Sequence, residues 1–515
     1  MKKREKLPFK SSSASDSRMA GARARRFVAA MIVGVAVVAS GCTYMAEQPE
    51  IAPDRYAPAG TETKWAPSAQ ASDHYSISAV HQPGTVAVEP PPSAAPNLPT
   101  YDLPTLVDMA LGSNPSTRSA WESARAAAAE YGESRAPYYP MVGVDTPSGY
   151  SKVLFQLPVH ASVVKQWQSN PMIELTYTIL DFGRRSAGAD LARNEMIAAN
   201  FTFDRRLQDV VFNVERTYYA LDAAHAAVTA AQQNLDLAIT DMAAVQDRLD
   251  NGLATEPELL LARERVAQSR YDVANAKLLV REGQANLAVA IGVAANTPLP
   301  IETLERQAVP SNLGSEIEAL IDDTIRHRPD LSAKVADVRA AEASQRQSAA
   351  QWYPMVGLDA NYGEQYLGYT FNGPPTISTL QPQYSALINI HWDAFTGFKR
   401  LNDDRRADAE LAASHADLES AELEAIAEVW RAYYEFQSSV EKYAYGQALL
   451  AAAQEAYDAN LETYRQGLST IVELLTAQRD LANARYTLIQ SKADLLTADA
   501  AVAYAAGAIE APPTP

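Results

Sequence analysis

The apolar positions of this chain follow two periods, and each period recurs. Val356, Leu358, Ala360 and Tyr362 alternate with Gly357, Asp359, Asn361 and Gly363. Ala386, Ile388, Ile390 and Trp392 alternate with Leu387, Asn389, His391 and Asp393. The same alternation marks Val142 and Val144, and Ile173, Leu175, Tyr177 and Ile179 set against Glu174, Thr176 and Thr178. A period of two gives a strand one apolar and one polar face. About four strands are expected, each about ten residues long, the length that crosses a bilayer at a tilt. Pro147, Gly149 and Pro158, and later Gly373-Pro374-Pro375, predict surface loops between them.

Elsewhere the period is helical. Leu103–Leu111 and Leu313–His327 predict short helices, each followed by an X-Pro step and an Ala-rich helix that ends before Pro140 or Pro354. No proline interrupts Gly183–Asn251 or Phe398–Gln466. At about 1.5 Å per residue each stretch predicts a rod of roughly 100 Å, with Gly183, Gly188 and Gly446 as the places where it is weakest. A heptad then takes over. Leu474, Leu481, Leu488 and Leu495 recur beside Ala477, Ala484, Ser491 and Ala498. Leu259, Val266, Val273, Val280 and Leu287 recur beside Ala262, Ser269, Ala276, Gly283 and Ala290. Seven-residue spacing imposes a left-handed supercoil, and the small residues let backbones approach.

These patterns are one unit copied twice. Pro140-Met141-Val142-Gly143-Val144-Asp145 returns 214 residues later as Pro354-Met355-Val356-Gly357-Leu358-Asp359. Asn114-Pro115 returns as Arg328-Pro329, Tyr218-Tyr219 as Tyr433-Tyr434, and Gly252-Leu253-Ala254-Thr255 as Gly467-Leu468-Ser469-Thr470. The expected division is a first repeat over 101–312, a second over 313–507 and a disordered tail over 508–515. At the turns, Gly252 and Gly467 suit left-handed helix ends. Thr255-Glu256-Pro257-Glu258 and Thr470-Ile471-Val472-Glu473 are capping boxes. Glu258 and Glu473 therefore serve as caps; converging around an axis, such carboxylates would also attract cations.

Four strands leave a problem, because a membrane barrel needs about eight and an open edge in lipid strands unpaired backbone groups. Either the strands form a soluble sheet, or several chains close one barrel together.

Composition narrows the classes. The net charge of −18 over 515 residues, without a long basic block past the N-terminus, argues against nucleic acid. A single cysteine, Cys42, excludes a disulfide framework and a Cys-based zinc site. The seven histidines are scattered and form no His-Glu-x-x-His run. No Gly-x-Ser-x-Gly elbow or phosphate-binding glycine loop is present, so neither an enzyme nor a cofactor or metal is expected.

The N-terminus is an address. Arg23, Arg25 and Arg26 precede an apolar run over 27–39 that is too short to span a membrane. Ala39-Ser40-Gly41-Cys42 resembles a bacterial lipobox, with Ala39 where the pattern usually has Leu. It implies a lipoprotein signal over 1–41 and acylation of Cys42. Thr43, not Asp, follows the cysteine, which favours the outer membrane. Met19 also stands at a natural signal start. Residues 43–100, rich in Pro, Ala and Ser, predict an extended tether.

Together, Asn114-Pro115 with Tyr139-Pro140, Leu180-Asp181-Phe182-Gly183 and Tyr464-Arg465-Gln466-Gly467-Leu468-Ser469-Thr470 resemble the TolC-type outer membrane efflux proteins over about 101–507. The resemblance implies a mainly α fold with membrane β: a homotrimer whose chains share a barrel of roughly 12 strands in outer membrane lipid, above long periplasmic coiled-coil helices. It implies a duct opened by a periplasmic membrane-fusion adaptor and energised by an inner-membrane pump, of the resistance-nodulation-division type for the acylated subclass. Gly252, Leu253, Ala254, Gly467, Leu468 and Ser469 would be the adaptor-docking tip. Glu258, Tyr464, Glu473 and Thr476 would form the entrance gate. Thr476 stands where the family example has a second ring Asp, and Ser469 where it has a tip-closing Arg, so the closing bonds are expected to differ. Trp392-Asp393-Ala394-Phe395-Thr396-Gly397 is looser than Asp181-Phe182-Gly183, which leaves the second strand-to-helix junction to be located. The alternative is a lipid-anchored periplasmic coiled-coil spacer without a pore, which leaves the four alternating strands without a purpose.

Overall fold

The computed structural model describes residues 60, 62–65, 100–156, 161–295, 297, 299–304, 309–310 and 317–508, all within one unit, Ala57–Pro515. Cys42, Pro158 and the 509–515 end lie outside them.

Each repeat has the same order. The first runs α1 (Leu103–Ser113), α2 (Pro115–Ser134), strands β1 (Met141–Asp145), β2 (Ser148–Gln156), β3 (Ala161–Ser169) and β4 (Met172–Leu180), then α3 (Arg184–Asp250) and α4 (Glu256–Ile291). The second runs α5 (Ile317–His327), α6 (Pro329–Ala350), β5 (Met355–Phe371), β6 (Ile377–His391), α7 (Lys399–Arg465) and α8 (Ile471–Ala505).

α3 and α7 are each 67 residues long, or about 100 Å at the helical rise. Neither Gly188 nor Gly446 interrupts them. Gly446 lies close against α8: a Cβ there would meet Ser491 Oγ at 3.0 Å. The heptad rows are the buried rows. Leu474, Leu481 and Leu495 are buried, as are Leu259, Val266, Val273 and Leu287, each large side chain contributing roughly 1.5–3 kcal/mol. Leu488 and Val280 are half-buried.

The short helices form collars on the rods. Leu106, Val107, Ala110 and Leu111 of α1 bury against Phe203, Leu207 and Val210 of α3 and Leu287 and Ile291 of α4. The X-Pro steps tie each repeat end to end. Asn114 caps α2 by accepting from Ser116 N at 2.8 Å, and its Nδ2 donates to Ala290 O at the end of α4 at 2.8 Å. Arg328, its counterpart, donates from Nη1 to Ala505 O at the end of α8 at 3.2 Å.

The strands correct one expectation. In the second repeat they are longer than about ten residues: β5 has 17 and β6 has 15. Gly149 is inside β2, not in a loop, and Pro147 marks only a break between β1 and β2. Proline has no N–H to give the ladder, but its carbonyl still pairs, accepting from Asn170 N at 2.9 Å. β1 and β2 thus form one strand path, and β3 and β4 another, broken at Asn170-Pro171. The Gly373-Pro374-Pro375 loop is where it was expected.

Candidate functional site: the sheet wall and the helical tips

All strand pairings are antiparallel, in the order β1/β2, β4/β3, β5, β6. The register lines up one residue type across all four paths. Val144, Ile173, Tyr362 and Tyr384 form one row, and Val142, Leu175, Ala360 and Ala386 the next. Between them, pointing to the other face, lie Gly143, Glu174, Asn361 and Ser385, with Asn361 Nδ2 donating to Ser385 Oγ at 2.9 Å. The apolar face is open: Val144 is 79% exposed and Tyr384 78%. Such a sheet has an oily side, a wet side and, among the described residues, two unfilled edges, the makings of a fraction of a membrane barrel. No helix among the described residues is long and apolar enough to cross a membrane.

Beneath the sheet, both repeats turn into their rods in the same way. Phe182 (φ 53°) and Gly183 (φ 94°) are both left-handed, and so are Gly397 (φ 62°) and Phe398 (φ 66°). The second junction therefore sits at the register position of the first, with Gly and Phe exchanged. An arginine follows in each. Arg185 binds Asp181 Oδ2 at 2.9 Å and Pro137 O at 3.2 Å and lies over the Tyr138 ring. Arg400 binds Gln351 O at 3.1 Å and lies over the Trp352 ring.

At the far end the rods reverse in two Schellman turns. Leu253 N donates to Arg248 O at 2.7 Å and Gly252 N to Leu249 O at 2.9 Å. Leu468 N donates to Thr463 O at 2.9 Å and Gly467 N to Tyr464 O at 3.0 Å. Positive φ at Gly252 (73°) and Gly467 (78°) makes both possible. Both capping boxes form: Thr255 N donates to Glu258 Oε2 at 2.8 Å, Thr470 N to Glu473 Oε2 at 3.1 Å. Leu253 and Leu468 project into solvent, 68% and 76% exposed. Ala254 and Ser469 are half-buried, and the Ser469 hydroxyl accepts from Thr463 Oγ1 at 3.1 Å.

Of the four predicted gate residues, Tyr464 is buried and Glu258 lies near enough to help raise its phenol's pKa, after burial as the main cause. Glu473 and Thr476 share a groove of about 350 Å³ with Asn460 and Asp480, and Thr476 Oγ1 donates to its own helix at Val472 O, 2.7 Å away.

Two links escaped the sequence reading. Arg248 Nη1 donates to Tyr464 O at 2.7 Å and Arg465 O at 3.2 Å, and the guanidinium lies 4.7 Å from the Tyr464 ring centre. A signal was there: a cation in the last helical turn suits the carbonyls that end a helix, although here it serves the neighbouring helix too. Further up, Tyr457 OH donates to both Asp241 oxygens, at 3.1 and 3.2 Å. Burial pushes the Asp241 carboxyl up to about 6, against the lowering effect of that hydrogen bond and of Arg465. Tyr457 and Tyr464 close a shared cluster with Val245, Leu259, Leu474 and Leu481. The two repeats are thus joined near their tips by an apolar cluster and by polar ties that include these two, with Arg265 Nε to Gln478 Oε1 at 3.4 Å beside them.

A sheet fraction carried on two paired rods is the fold of the outer-membrane ducts. The family model described as outer membrane efflux protein matches residues 106–293 and 320–508, and the chain belongs to that family. It is similar to protein CyaE of Bordetella pertussis, 29% identical over 429 residues, with 81% of this chain and 86% of the relative covered. It is similar to outer membrane protein TolC of Escherichia coli, 22% identical over 424 residues, covering 75% and 79%. Its fold matches the solved outer-membrane channel OprN with a TM-score of 0.71 at 21% identity, covering 80% of this chain and 91% of that one. The chain is an outer-membrane efflux channel of the tripartite type, not an enzyme, and its helical portion is periplasmic.

Proposed function

We propose that three copies of this chain close one barrel and one helical tube, and that the tube is opened from its tips. The observation that carries the proposal is the four-path sheet, with an apolar face, a polar face and two unpaired edges. Its edges in lipid demand partners, and copies of the same chain supply them in register. Three chains give roughly 12 strands, a closed number.

The exposed Leu253 and Leu468, with Gly252, Ala254, Gly467 and Ser469 around them, would receive an adaptor's helical hairpins. Glu258, Tyr464, Glu473 and Thr476 would form the entrance, and adaptor docking would shift the tips from a closed to an open population. An inner-membrane pump, of the resistance-nodulation-division type, would supply the energy. Acylated Cys42 would anchor the N-terminus in outer membrane lipid. Cargo choice would rest with the pump.

The test is the mature protein purified in detergent and reconstituted in planar bilayers. A trimer that conducts ions is expected, and Glu473→Ala should lower its cation selectivity. A monomer without conductance would overturn the duct. Unchanged selectivity in Glu473→Ala would leave that carboxylate as a helix cap alone.

A further inference from the structure

A short stretch far upstream of α1 is seated on the body. Gly60 and Thr63 close a small turn, with Gly60 N donating to Thr63 Oγ1 at 3.0 Å and Thr63 Oγ1 to Gly60 O at 3.2 Å. Two residues on, Trp65 N donates to Asp204 Oδ1 of α3 at 2.8 Å, a contact spanning 139 residues of sequence. The Trp65 ring meets Phe201 edge-on, with centroids 5.4 Å apart at 89°. Glu62 lies so close to α1 that a Cβ on Gly112 would come to 2.5 Å from its Oε1.

Asp204 is 2% exposed. A buried carboxylate without a donor is costly, and its main-chain donor here comes from this upstream stretch. Burial pushes its carboxyl up to about 7, while the Trp65 N–H and the Lys64 charge act to lower it. The repeat supplies a control. The counterparts of Phe201, Asp204 and Gly112 are Ala416, Glu419 and Arg326. Ala416 and Glu419 are both exposed. The second copy therefore has no ring, no buried acceptor and no glycine gap at these positions. This set exists only in the copy that follows the N-terminal arm.

We infer that Phe201 and Asp204 form a receptor on the first repeat for the Gly60–Trp65 segment. The segment works as a latch that makes the N-terminal arm fast to the helical body. Its occupant is this chain's own arm, and the backbone N–H of Trp65, with its ring, is the part recognised. The latch does not depend on acylation of Cys42 or on pore formation.

Hydrogen exchange read by mass spectrometry on the full-length protein in detergent tests it. In the wild type, the Trp65 amide should exchange at least about tenfold more slowly than an unprotected chain. Trp65→Ala and Phe201→Ala should each return residues 62–66 to the unprotected rate. Trp65 lies outside the rods, so Trp65→Ala leaves assembly and conductance intact, which separates failure of the latch from failure of the duct. A wild-type amide that exchanges freely, or protection that survives both Trp65→Ala and Phe201→Ala, would overturn the inference.

Discussion

The two repeats agree at the top of the rods and differ at the bottom. Where sheet meets helix, Arg185 and Arg400 occupy matched positions, reach matched carbonyls at Pro137 and Gln351, and lie over matched rings at Tyr138 and Trp352. At the tips, the counterpart of Arg248 is Thr463, that of Asp241 is Ala456 and that of Tyr457 is Met242. Each repeat must make the same bend from a tilted strand to a long helix, so the same chemistry is kept twice. The tips have a different task. In a ring of repeats there are two kinds of seam, within a chain and between chains, and the polar ties described above lie on the seam within the chain.

The largest effect should come from the arginine clamps, and should split them. Arg185 shares a buried ion pair with Asp181, with 14% and 9% of the side chains exposed. Removing one partner of such a pair costs about 3–5 kcal/mol. Arg400 has carbonyl and ring partners instead, and its loss should cost about 1–3 kcal/mol. Thermal unfolding of Arg185→Ala and Arg400→Ala should therefore rank the first as the less stable. The opposite order would mean that the two junctions are alike in fold but not in energetics.

Next comes Asp241. Its folded value of about 6 lies above the ordinary 3.8, because burial favours the protonated form. Stability from this group is full below pH 3.8 and falls as pH rises through about 6. Asn at this position keeps an acceptor for Tyr457 without the charge. Asp241→Asn should thus stabilise the protein by about 2–3 kcal/mol at pH 8 and by almost nothing at pH 4. A pH-independent effect would show that charge is not what distinguishes this seam.

Arg248→Ala should have the smallest effect on global stability, about 1–2 kcal/mol, but the most local one. It frees the carbonyls of Tyr464 and Arg465 and uncovers the Tyr464 ring. Amide exchange should quicken at residues 249–256 and 464–470, with the collars near α1 and α5 unchanged. Equal quickening along the whole rod would mean that Arg248 holds the rod together, not the tip.

Most of this architecture was legible because it is periodic. Alternation located β4, β5 and β6, the heptads located α4 and α8, and the proline-free runs matched α3 and α7 to within a residue or two. The glycine turns and capping boxes were readable because each is a local exchange of hydrogen bonds. The loop expected at Pro147 and Gly149 is instead a continuing strand path for a physical reason: proline interrupts one N–H but leaves its carbonyl paired. Arg248, the Asp241–Tyr457 link and the Trp65–Asp204 contact were not legible. Each joins residues more than a hundred positions apart, and no period or spacing records such a meeting.

The unpaired outer edges of β1/β2 and β6 carry a genetic consequence. In the proposed trimer the wall is divided among identical chains and has no spare part, so a copy with sound helices but a faulty edge strand would still enter the assembly and leave it unclosed. If half the chains in a cell carried such a fault and mixed at random in threes, only about one duct in eight would be built wholly from sound copies. A lesion at the edge of the sheet would therefore behave as dominant, while the loss of a whole gene copy would merely halve the supply.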